Sequence, residues 1–282
     1  MSAETFGRFS AVPVEKVQEF WNRRPCNVRH SISPIGSREY FEQVRARKYF
    51  VEPHIPGFAR FDYWKGRRVL EVGCGIGTDT INFALAGAQV VAIDLSERSL
   101  EIAASHAQAY GVSDRIRFVH GNVEMLSEVL RPQPYDLIYS FGVIHHTPQP
   151  QLALTEMRKF AAPGTTLKLM VYHRYSWKVF GILLGPGKGR FWRLDELVAL
   201  SSEAQTGCPV TYSYGQREAS DLLERHGFKV IDCQVEHIFP YRIEDYLSHR
   251  YVKNWYFRIM PAALFDWMER RLGWHLCLTA RA

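Results

Sequence analysis

Residues 71–77 read Glu71-Val72-Gly73-Cys74-Gly75-Ile76-Gly77: three alternate glycines directly after the short apolar run 68–72 and directly before a helix-like stretch reaching Ala86. No other feature constrains the fold as much. Glycine lets a chain turn sharply at a strand end and leaves no side chain between the backbone and a ligand. Residues 89–93 then read as a second buried strand ending at Asp94, and Ser96 is placed to cap a helix running to about Tyr110. The segment is a complete strand–helix–strand unit.

The alternation continues with strand-like 115–120 and 135–140, a helix over 152–160, and a fifth strand over 165–172 after the Pro163-Gly164 turn. Helices are read at 191–204 and 216–226, and two last strands at 228–238 and 274–280. This pattern predicts an α/β fold with a doubly wound, mostly parallel seven-stranded sheet and right-handed crossovers. Ligands on such sheets sit beyond the carboxyl ends of the strands. Residues 240–273 are too many for a tight connection and too apolar for an open loop, so one or two helices over the sheet are expected. Residues 1–66 hold an amphipathic start (Val14, Val17, Phe20, Trp21) and a Pro/Gly-punctuated stretch, read as a helical lid. The organisation expected is that lid, then a domain over 67–282 with insertions at about 174–214 and 240–273.

Composition excludes several classes. At 282 residues with 46% hydrophobic and 23% charged, the chain can bury a large core and is neither fibrous nor disordered. The five cysteines (26, 74, 208, 233, 277) are an odd number with no C-x-x-C pair, which fits a reducing cytoplasm and makes a cysteine metal site unexpected; no metal is predicted. Glu4 and Arg8 interrupt the start, so no signal peptide is expected, and apolar runs such as 179–184 fall short of the ~20 residues of a spanning helix. A net charge of +6 would suit a nucleic acid, an anionic surface or an acidic small ligand and selects none of them.

The turn's ligand can be narrowed. A dinucleotide-binding turn has the spacing G-x-G-x-x-G, whereas the third glycine here comes one residue early, and the acid Glu71 would repel a pyrophosphate but suit a cationic amino-acid tail. Asp94 can accept both hydrogens of a ribose diol. A bare structural turn and a helix cap are the competing readings of these two features. The run 69–77, followed by Asp94-Leu95-Ser96, Gly121-Asn122-Val123-Glu124 and residues 135–140, resembles the class I S-adenosylmethionine-dependent methyltransferases over about residues 66–172. The resemblance implies a Rossmann-like methyltransferase fold with S-adenosyl-L-methionine as cofactor and S-adenosyl-L-homocysteine as product. It further implies that Glu71, Gly73, Gly75 and Gly77 bound the methionine end, Asp94 holds the ribose, and Leu95 packs near the adenine. Asn122 and Val123 stand beside the adenine, with Asn122 where the family usually has Asp; Ser140 and Phe141 reach the methionine portion.

Methyl transfer needs an acceptor held in line, water excluded and an acceptor proton removed where there is one. His145 or His146, just past the fourth strand where family relatives often carry a similar pair, is the candidate base, since imidazole titrates near neutrality. Adjacent side chains diverge, so at most one should face the substrate; a histidine tying the loop to backbone carbonyls is the competing reading. For the acceptor, Arg29, His30, Arg38 and Tyr40 in the leading segment and Tyr172, Arg174 and Tyr212 in the late one are the pocket candidates, with core or rim packing as the alternative for each. The aromatic and basic interleaving over 246–274 suits a helical cover closing an apolar pocket, with core packing or a homodimer interface, single-stranded nucleic acid and a membrane surface as the other readings. The reading is thus a small-molecule methyltransferase with an acceptor that is anionic and partly apolar. Nucleic acid is disfavoured because no RNA-binding motif accompanies the modest charge. The alternatives are a tRNA or rRNA methyltransferase, a membrane-associated quinone or lipid methyltransferase, a non-catalytic cofactor-binding regulator and a nicotinamide enzyme.

Overall fold

The computed structural model describes residues 9–201 and 207–282. Glu4, Arg8 and the end of the helix read over 191–204 lie outside the described residues. The strands are β1 (Arg68–Val72), β2 (Gln89–Asp94), β3 (Ile116–His120), β4 (Leu137–Phe141), β5 (Thr166–Tyr172), β6 (Lys229–Glu236) and β7 (His275–Arg281), joined in one sheet of order β3-β2-β1-β4-β5-β7-β6.

β1 pairs in parallel with β2 on one side and β4 on the other, so the strand order reverses at β1. That reversal opens a crevice beyond the carboxyl ends of β1 and β4. β7 is antiparallel and lies between β5 and β6, with Leu278 opposite both Leu169 and Cys233. The doubly wound, mostly parallel seven-stranded sheet is therefore present as expected.

Both faces of the sheet are covered. In β1, Leu70 and Val72 enter the apolar cluster that holds Ile138, Leu167 and Leu278, while Val69 enters the opposite one with Phe83, Leu137 and Tyr139. Alternating side chains of one strand thus support two cores, each fully buried Leu or Val contributing about 1.5–3 kcal/mol. The helix after β1 is Thr78–Leu85 and the one after β2 is Glu97–Tyr110, where the Ser96 hydroxyl accepts the Ser99 N–H at 3.1 Å as an N-cap.

Within residues 1–66, read as a helical lid, the sequence sets no bounds for a helix at 38–51; these residues form the 14-residue helix Arg38–Val51, capped by Ser37, whose Oγ accepts the Tyr40 N–H. Its apolar positions Tyr40, Phe41 and Val44 pack against Ile76 of the glycine turn and Ile102 of the following helix, contacts distant in sequence. The run 179–184 belongs to the helix Trp177–Leu184. Residues 240–273 hold three helices rather than one or two, Ile243–Leu247, Trp255–Ile259 and Ala262–Leu272. Among the described residues no helix is long and apolar enough to cross a membrane.

Candidate active site

A cavity with about 1290 Å³ of free space, including its open mouth, occupies the crevice at the strand reversal. Residues 73–76 of the glycine turn form its floor. Asp94 and Leu95 after β2, Asn122 and Val123 after β3, and Phe141, Gly142, Val143 and His146 after β4 form its walls. Val17 and Trp21 from the helix Val14–Arg23, and Lys48 and Glu52 at the end of the helix Arg38–Val51, lean over it, and Met170, Tyr172 and His275 close the far side.

The floor depends on glycine in two different ways. Gly73 has φ +76°, and a Cβ there would lie 2.2 Å from Val143 Cγ2, so the turn closes against the loop after β4 only without a side chain. Gly75, at φ +54°, would point a Cβ into open space, which leaves its backbone bare to whatever fills the cavity. Gly77 does not line the cavity. Its own Cβ would come within 3.0 Å of the Ala103 Cβ, so it permits close packing of the helix Glu97–Tyr110.

Asp94 is tied at both oxygens: Oδ2 accepts the Gly75 N–H at 2.7 Å and Oδ1 the Ser96 N–H at 2.8 Å. Burial pushes its carboxyl above the usual range while those amides pull the other way. Each oxygen keeps lone-pair capacity on the cavity side. The helix cap falls to Ser96, so capping does not consume Asp94. Asn122 accepts the Glu124 N–H at 3.0 Å through Oδ1, a local turn that orients its amide at the cavity wall.

Glu71 lies beneath the floor rather than on the wall. Its Oε2 accepts the Thr80 hydroxyl at 2.6 Å, and burial, with the Asp79 carboxylate next, pushes it up to about 8. Asp79 in turn accepts Lys48 Nζ at 2.7 Å and the hydroxyls of Tyr49 at 2.8 Å and Tyr139 at 2.9 Å. This buried polar network fastens the helix Arg38–Val51 to the glycine turn. Ser140 is fully buried and also off the wall.

The two histidines part as divergence requires. His146 lines the cavity, and its Nδ1 donates to the Val210 carbonyl at 2.7 Å, which leaves the lone pair on Nε2. His145 is not a lining residue: its ring is fully buried 3.9 Å from that of Tyr172, neither nitrogen has a hydrogen-bond partner among the described residues, and burial holds it well below the usual imidazole range.

Of the acceptor candidates, only Tyr172 lines the cavity, stacked on Trp274 at 4.1 Å. The others are placed elsewhere. Tyr40 is a core residue whose hydroxyl donates to Val28 at 2.9 Å, and Tyr212 is buried with its hydroxyl on Pro148. Arg174 pairs with Glu218 at 2.7 Å, Arg38 pairs with Glu42 on the surface, His30 bonds the Tyr246 hydroxyl, and Arg29 is exposed away from the cavity. Sequence reasoning missed Lys48, Glu52 and His275. Each lies on an element joined to the glycine turn only by tertiary contacts, and no local pattern marks it.

His275 also belongs to a cluster. Its Nδ1 lies 3.0 Å from His54 Nε2 and its Nε2 3.6 Å from Glu52 Oε1, with the His237 ring 4.6 Å away.

A family model described as a methyltransferase domain matches residues 64–227. The chain is 29% identical over 157 residues to the ubiquinone biosynthesis O-methyltransferase of Psychrobacter cryohalolentis, a match covering 55% of this chain and 60% of that protein. It thus spans about 60% of the length of that curated relative. The magnesium protoporphyrin IX methyltransferase of Synechocystis PCC 6803 with bound SAH superposes at a TM-score of 0.55 over 95% of this chain and 99% of that one, at 16% identity. The [4+2]-cyclase SpnF does so at 0.54 over 79% and 78%, at 18% identity. At these identities what is shared is the fold.

The chain belongs to the class I S-adenosylmethionine-dependent methyltransferase family. The cofactor of that family is S-adenosylmethionine.

Proposed function

We propose that the protein transfers a methyl group from S-adenosylmethionine to a small, partly apolar acceptor through an oxygen atom. The observation that carries this reading is the Asp94 carboxylate, fixed by the Gly75 and Ser96 amides at the mouth of the strand-reversal crevice. A ribose diol needs such a doubly anchored acceptor pair. Leu95 and Val123 supply apolar walls for a flat base, Asn122 an amide beside it, and the bare Gly73 and Gly75 backbone a cradle for the amino-acid end. Phe141 lines the cavity where the methionine portion would reach.

When bound, the cofactor supplies a methyl group already activated on a sulfonium. The chain's part is therefore to position, to exclude water and to move a proton. Val17 and Trp21 cover the cavity, which supports residues 1–66 as a lid. His146 Nε2 is assigned as the base that takes the acceptor's proton, with Nδ1 held on Val210 to keep the imidazole in that tautomer. The relative named as a ubiquinone biosynthesis O-methyltransferase supports oxygen as the methylated atom, and an oxygen acceptor has a proton to lose. The five cysteines, none of them joined in a disulfide, support a reducing, cytoplasmic setting.

A second reading, an acceptor drawn from a membrane surface, is favoured by Leu184, Phe191 and Trp192, all more than 60% exposed beside Lys188, Arg190 and Arg193. Co-sedimentation with anionic vesicles tests it.

The primary test is equilibrium titration of the purified chain with S-adenosylmethionine, S-adenosylhomocysteine and NAD. Binding of the two adenosyl ligands, lost in Asp94→Ala, is expected. Tight NAD binding without them would overturn the reading.

A further inference from the structure

The end of β6 and the start of β7 bring an unexpected set of donors together. Glu236 and His275 are register partners at the end of the antiparallel pair, and the Trp274 N–H donates to the His237 carbonyl at 2.8 Å. The two backbones approach so closely that a Cβ on Gly273 would fall 2.2 Å from the Glu236 oxygen. His237 takes a left-handed backbone, φ 71°, a strained conformation for a non-glycine residue. Its ring thereby joins that of His275, and both are buried. Opposite them stands Glu52, from the segment leaning over the cavity. One donor atom from each of Glu52, His237 and His275 lies within 4.8 Å of the other two.

We propose that Glu52, His237 and His275 form a binding site for a divalent transition-metal ion at the acceptor end of the cavity. Two imidazoles and one carboxylate are a donor set for zinc, iron, cobalt or manganese that leaves coordination positions open. An ion about 2.1 Å from each donor holds tetrahedral donors about 3.4 Å apart. The 3.6 Å between His275 Nε2 and Glu52 Oε1 is close to that spacing, and the remaining donor pairs lie within 4.8 Å. A metal-bound histidine characteristically donates its other ring N–H to a neighbouring acceptor. His275 Nδ1 has one in His54 Nε2 at 3.0 Å, so His54 is a positioning residue. Two cations border the cluster: Lys48, held by Asp79 at 2.7 Å, acts on Glu52, and Lys178, over the Trp274 ring at 4.2 Å, acts on His237 and His275.

Glu52 and His275 both line the cavity, so the open face of the ion points at the space left to the acceptor. The site would take an acceptor through an anionic oxygen, a phenolate, catecholate or carboxylate. This use of the ion rests on the proposed methyl transfer; the ion site itself does not.

The test uses the full chain, stripped with chelator and titrated with Co2+, read by its visible ligand-field absorbance and by calorimetric stoichiometry. One ion per chain is expected, with Glu52→Gln and His237→Gln each weakening it at least 10-fold and His54→Gln by about 10–100-fold. Binding of S-adenosylhomocysteine is measured on the same samples as a check that each variant is folded. No stoichiometric cobalt in a wild-type chain that binds S-adenosylhomocysteine, or wild-type cobalt affinity in both Glu52→Gln and His237→Gln, overturns the metal site. Cobalt bound at the expected stoichiometry without adenosyl binding overturns the methyltransferase reading and leaves the metal site standing.

Discussion

Asp94 Oδ2 accepts the Gly75 N–H at 2.7 Å, so the carboxylate at the end of β2 holds the glycine turn that follows β1. Two neighbouring strand ends are thereby locked into one ligand-binding edge. Asp94→Ala removes that anchor along with the acceptors for a ribose diol. Hydrogen bonds to a charged group are each worth about 1.5–3 kcal/mol, so adenosyl-ligand affinity should fall by about 10²-fold or more. Calorimetric titration checks this, and an unchanged Kd would remove Asp94 from the site.

Gly73→Ala should destabilise the fold itself. The added Cβ meets Val143 Cγ2 at 2.2 Å, and φ +76° is unfavourable for alanine, so a loss of about 1–3 kcal/mol is expected. Thermal melts of Gly73→Ala and of Gly73→Ala with Val143→Ala separate the two causes. The double variant should recover only the steric part due to the Val143 methyls, because Val143 Cβ would still lie 2.9 Å from the new Cβ, and none of the backbone part.

His146→Gln should lower kcat by about 10²-fold while leaving cofactor affinity as it was. The amide keeps a group near Val210 but offers no base. Equal turnover in wild type and variant would mean that positioning alone accounts for catalysis.

Stability should fall on the acid side through His106. Its ring stacks on Phe41 at 4.0 Å with Nδ1 on the Ile76 carbonyl, and burial lowers it from 6.5 to about 4. The folded value lies below the unfolded one, so the unfolded chain takes the proton first. The contribution is whole above pH 6.5 and declines as pH falls towards 4, by up to about 1.4 kcal/mol per pH unit. Denaturant unfolding of wild type and His106→Asn across pH 4–7 measures the difference, and the variant's curve should be flatter in that window. Parallel curves would contradict the assignment.

The sequence alone determined the strand–turn–helix around 71–77, the carboxylate at Asp94 and the cap at Ser96, while Asn122, Val123 and Phe141 came from the family resemblance. Each of these is local: a strand end, a turn or a cap is written within a few residues, and the parallel sheet follows from their alternation. The polar residues of the leading and late segments, Arg38, Tyr40, Arg174 and Tyr212, were legible as chemistry but not as placement, because a tyrosine or arginine serves packing and pairing equally well. Only the tertiary structure decided that Tyr40 belongs to the core, that Lys48 and Glu52 lean over the cavity, and that His146 rather than His145 faces it. It also decided the meeting of His54 with His275, 221 residues apart in the chain. The physical reason is that this contact depends on an antiparallel β7 inserted beside β5 and a helix docked on the glycine turn, and the energy of such long-range packing leaves no periodicity in the segments it joins.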